Sequence, residues 1–120
     1  MNEINEEIKR LNFEDILWVI FIVISFLNIY GDKLQKDYLI NNDDKVNKNA
    51  NNIFIFTIIV SFFIYLYFLN RNYNFYLKAS VEQKRLYEIK LFGSVFLIAG
   101  TLCLLYFQIK NTSSIGTPAV

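Results

Sequence analysis

The 120-residue chain is 54% hydrophobic and 18% aromatic but only 19% charged, with a net charge of +1. That balance is more apolar than an ordinary soluble domain, and it supplies no basic patch for a nucleic-acid partner. Histidine is absent and Cys103 is the single cysteine, which removes the commonest general base, any metal-ligand spacing and any intramolecular disulfide. The enrichment in Ile, Phe, Asn, Lys and Tyr is typical of AT-rich genomes and leads us to expect a bacterial source.

In chain order, residues 2–12 predict a short amphipathic helix. Asn2 can cap it, Glu3, Glu6 and Glu7 suit its N-terminal end, and Ile4, Ile8 and Leu11 share a face. The first apolar run covers about 13–30, with no charge from Ile16 to Ile29. Its leader has five acids against two bases and no small-residue cleavage site follows, so it reads as a retained span rather than a signal peptide. Gly31-Asp32 marks its expected stop. Glu14 and Asp15 read as interfacial charges that set its depth.

Residues 31–52 are rich in Asn, Asp and Lys and predict a solvated, mobile loop. The second run, 53–69, ends in Asn70-Arg71-Asn72, which reads as a turn. Ser80-Val-Glu-Gln83 reads as a capping box that opens a third helix from about 81 to 109, whose apolar part is 91–109. The intervening stretch 70–90 is the expected cytosolic segment, and 110–120 reads as an unstructured tail.

The three runs, of 18, 17 and 19 residues, each span roughly 26–28 Å, close to the ~30 Å hydrocarbon thickness. The expected fold is an all-α integral membrane protein of three transmembrane helices in one domain, the third extended into the cytosol. Lys and Arg number seven on the side of the N-terminus and residues 70–90, against five on the other. That bias predicts the N-terminus inside and the C-terminus outside a bacterial cytoplasmic membrane.

Within the third run, Gly93 and Gly100 fall on one arc of the helix, flanked by Ser94, Thr101, Gln108 and Cys103. Leu91, Val95, Ile98, Leu102, Leu105, Tyr106 and Ile109 occupy the opposite arc. Lipid gives no hydrophobic drive for helix pairing, so small residues and interhelical hydrogen bonds mark packing faces. The small arc is therefore the expected face for a partner chain or a second copy. Asn28, Thr57 and Gln108 are expected to meet as a polar intramembrane cluster.

No charged residue interrupts the three apolar cores and no nucleotide-binding or nucleophile motif is present, so neither enzyme activity nor a cofactor is expected. The first expectation is a non-catalytic accessory or assembly subunit that acts by helix–helix contact with a membrane partner. The alternatives are an immunity-type protein that neutralises a membrane-active toxin and a self-assembling holin-like pore. The second fits less well, since only Lys110 charges the tail.

Overall fold

The structure is a computed structural model that describes residues 2–110 and residue 115; apart from Lys110 and Ile115, the tail expected to be unstructured lies outside the described residues. It is all-helical, in the order α1 (Asn2–Asn41), α2 (Asp44–Lys78) and α3 (Lys84–Lys110). All three helices are long and apolar enough to cross a membrane. Their outward side chains are large and apolar: Phe26, Phe63 and Phe96 are each more than 60% exposed. Such a surface is compatible with a multi-pass membrane protein.

The helices overrun the expected spans. The segment expected as a separate N-terminal helix is the first part of α1, which is continuous for 40 residues. Gly31-Asp32 does not stop it. An ideal Cβ at Gly31 would lie 2.5 Å from Cε1 of Phe54, a ring with no exposed surface. Gly31 is thus the seat of an aromatic side chain from α2, and close approach rather than chain reversal is its role.

The segment 31–52 is correspondingly a helical hairpin rather than a mobile loop. Its reversal takes two residues. Asn42 adopts φ 55° after donating its N–H to the Tyr38 carbonyl at 2.7 Å, and the Asp43 side chain accepts from the Lys45 N–H at 3.0 Å. Asn tolerates the left-handed conformation that ends a helix, and Asp is a preferred N-cap, so Asn42-Asp43 stops one helix and starts the next. The polar composition did not prevent order because Gln35 and Ala50 are buried in the seam between α1 and α2, and Asn51 is buried against Gln108 of α3.

Asn70-Arg71-Asn72 is likewise no turn, since α2 continues to Lys78. Reversal comes at residues 79–83, where the Ser80 carbonyl accepts from the N–H groups of Gln83 (3.1 Å) and Lys84 (2.9 Å). The third helix therefore begins three residues later than the capping-box pattern predicts.

Contacts follow a heptad rhythm. On α1, Arg10, Glu14, Leu17, Phe21, Ile24, Asn28, Gly31, Gln35 and Tyr38 are buried or half-buried, in alternating steps of four and three. On α3 the same rhythm runs through Tyr87, Leu91, Ser94, Ile98, Thr101, Leu105 and Gln108. Helix α2 carries two such seams, one residue apart. Ala50, Phe54, Thr57, Ser61, Ile64, Phe68, Arg71 and Phe75 form the first, and Asn51, Ile55, Ile58, Phe62, Tyr65, Leu69, Asn72 and Tyr76 the second. Such a repeat produces left-handed supercoiled packing.

The one-residue offset sets the architecture. One residue is about 100° around a helix, whereas a closed triangle of helices needs about 60°. At ~9 Å between packed axes, α1 and α3 would stand roughly 14 Å apart. In the structure both pack on α2 and neither packs on the other. The result is an open layer with principal extents of 59 × 27 × 14 Å rather than a closed bundle.

Candidate functional site

Where α1 and α3 diverge over α2, they leave a trough with a charged end. Glu14, only 5% exposed, occupies the α1 seam there. Its Oε1 accepts from an Arg71 guanidinium N–H at 2.9 Å, and its Oε2 accepts from Arg10 at 2.9 Å and from the Tyr67 hydroxyl at 3.2 Å. Arg10 also donates to Glu7 at 2.7 Å. Both carboxylate oxygens of Glu14 are thus engaged, the condition under which a buried ion pair is tolerated.

The network crosses to α3 through Asn72. Arg71 Nε and Nη2 donate to Asn72 Oδ1 at 3.2 and 3.0 Å, and Asn72 Nδ2 donates to Ser94 Oγ at 2.6 Å. Three cations, one from each helix, converge on the Phe75 ring: Arg10, Arg71 and Lys90 lie 5.0, 5.6 and 5.5 Å from its centroid. Partial burial lowers the pKa of the Lys90 ammonium, and the charges of Arg71 and Arg10 lower it further against an opposing pull from Glu14.

From this end the trough runs along α2, with Phe68 and Tyr65 as its floor, Trp18 and Phe21 on the α1 wall and Leu97 on the α3 wall, enclosing about 490 Å³. A smaller pocket of about 80 Å³ continues it past Tyr65, between Asn28, Thr57, Ser61, Thr101 and Leu104.

The residues singled out in the sequence divide. Ser94, Thr101 and Gln108 are buried against α2, in the α3 seam. Gly93, Gly100 and Cys103 are exposed, and a Cβ built at either glycine meets nothing within 4 Å. The small arc of α3 is therefore split. Its hydroxyl and amide side packs inside the chain, together with Leu91, Ile98 and Leu105 from the opposite arc, and its glycine side stays open. The heptad repeat explains this, because it places every seventh residue, 94, 101 and 108, on α2 and turns the preceding positions 93 and 100 away.

The expected polar cluster also divides. The Thr57 hydroxyl donates to Asn28 Oδ1 at 2.8 Å. Gln108 does not join them: its Nε2 donates to Asn51 Oδ1, nearer the hairpin, and its Oε1 has no hydrogen-bond partner among the described residues. Arg71, Asn72, Phe75 and Lys90 were missed by sequence reasoning. The available signal was the Arg10–Glu14 spacing on α1, which pairs charges on one helix face just where an antiparallel α2 brings Arg71. Against this geometry, comparison with protein-family models, curated proteins and solved structures finds no match.

Proposed function

We propose that the protein is a non-catalytic accessory or assembly subunit of a cytoplasmic membrane, which acts by packing its open helical layer against a helix of a membrane partner. The observation that carries this reading is the vacancy beside Gly93 and Gly100, where nothing lies within 4 Å of an added Cβ. Glycine is a poor helix former, and in lipid its use on an open helix flank is close backbone approach by another helix. The charged end supports the same reading. Glu14, Arg71 and Asn72 are engaged in fastening the layer itself, which leaves the apolar flanks as the contact surface.

The reading includes the orientation with the charged end inside, since it gathers Arg10, Arg71 and Lys90, consistent with the positive-inside rule. A reporter fused after Val120 is then expected outside the cytosol.

The test is the mass of the complex that holds a tagged copy, extracted from its own host in mild detergent. A stoichiometric second protein is expected, lost on Gly100→Leu and retained on Leu102→Ala. A monomer overturns the reading. A ladder of the same 14.2 kDa chain replaces it with self-assembly, as in a pore, and capture of a membrane-active toxin replaces it with neutralisation.

A further inference from the structure

The trough between α1 and α3 has the chemistry of one particular occupant. At its charged end Arg71 lines the trough, with Arg10 and Lys90 gathered beside it on the Phe75 ring, and among the described residues the carboxylates that contact these three cations are Glu7 and Glu14. Lys90 is the cation left over: among the described residues no carboxylate lies within ion-pair distance of it. Lys90, Leu97 and Leu104 recur every seventh residue, so the ammonium stands at the head of the wall that Leu97 and Leu104 continue. Below it the trough is aromatic and aliphatic, about 490 Å³ in volume and open along one side. That size lies within the ~300–1,000 Å³ common for small-ligand sites. A bilayer leaves no such channel empty.

We infer that the trough binds one anionic phospholipid, its phosphodiester held at Lys90 and the outer edge of Arg71 and one acyl chain laid over Phe68 and Tyr65 between α1 and α3. The excess positive charge selects an anionic over a zwitterionic headgroup. The chain fills the gap that the one-residue offset of the two α2 seams creates, and Trp18 borders it at the depth where indole rings favour the membrane interface. Neither Gly93 nor Gly100 is among the residues that line the trough.

Native mass spectrometry of the purified full-length chain, with phosphatidylglycerol and phosphatidylcholine of identical acyl chains added in equal amounts, tests the assignment without any partner protein. One retained phosphatidylglycerol per chain is expected. Lys90→Gln should lower the preference for it about fivefold, the effect of one basic residue near an anionic headgroup. Lys110→Gln, at the far end of α3, should leave it unchanged. Leu97→Trp, which fills the trough without altering charge, should abolish retention of both lipids, with circular dichroism confirming that each variant is folded. Equal retention of the two lipids, indifference to Lys90→Gln, displacement by millimolar inorganic phosphate, or retention unchanged in Leu97→Trp would each overturn the inference.

Discussion

At the charged end, α1 and α2 are joined by a buried carboxylate between two guanidinium groups; at the hairpin end, the same two helices are joined by the Phe54 ring on the bare backbone of Gly31. The first junction depends on charges that are costly to bury and costlier to leave unpaired. The second depends on the absence of a single carbon. Along one seam, a fixed heptad spacing therefore accommodates two unrelated contacts. Register comes from the period, while the chemistry of each layer is set by what its surroundings permit.

The largest loss is expected at Glu14. Glu14→Ala strands Arg71 without its counter-charge and is expected to cost about 3 kcal/mol, read as a lowered thermal unfolding midpoint in detergent. Replacing both partners, Glu14→Leu with Arg71→Met, should recover most of that loss; a double variant as unstable as the single one would show that the pair is not the source. At the other junction, Gly31→Val forces the buried Phe54 ring to move and is expected to cost about 1–3 kcal/mol. Gly100→Leu on the isolated chain should leave the same midpoint unchanged, because its new side chain meets open space.

The reversal beside that junction is the next test. Asn42→Val puts a β-branched residue at φ 55° and should cost roughly 1–2 kcal/mol, whereas Asn42→Gly should be close to neutral. Midpoints that failed to separate the two would remove the left-handed cap. Midway between the ends, Thr57→Val deletes the bond to Asn28. Hydrogen bonds inside membrane proteins average about 0.6 kcal/mol, so this variant should show the smallest loss among the destabilising ones. A loss as large as that of Glu14→Ala would place the main fastening at mid-layer instead.

Several elements were legible before the structure. The three apolar runs were visible because each has a charge-free core, Ile16–Ile29, Ile53–Leu69 and Leu91–Ile109, within a run of about a bilayer thickness. Of the polar cluster expected from Asn28, Thr57 and Gln108, the structure joins Asn28 to Thr57 and pairs Gln108 with Asn51 instead. The extent of the helices was not legible. Asn- and Lys-rich composition around 31–52 reads as solvated loop, yet Gln35, Ala50 and Asn51 are buried there in heptad register. The seams escaped notice because their layers mix Gly, Ser, Thr, Asn, Glu and Arg with large apolar groups, so no hydrophobic stripe marks them. Arg71 was hidden for the same reason: in Asn70-Arg71-Asn72 the side chains look like a turn until an acceptor on another helix is known.

That the chain makes apolar helices of membrane-spanning length follows from the residues alone, because hydropathy and run length are properties of each segment. The residues also hold the 3–4 spacing that keeps each helix in step with its neighbour. Which side of α3 is spent inside the chain, the middle place of α2 and the separation of α1 from α3 emerge only when the helices pack. Those outcomes depend on the angle between two seams on one helix, and that angle becomes a physical quantity only when both neighbours are in place.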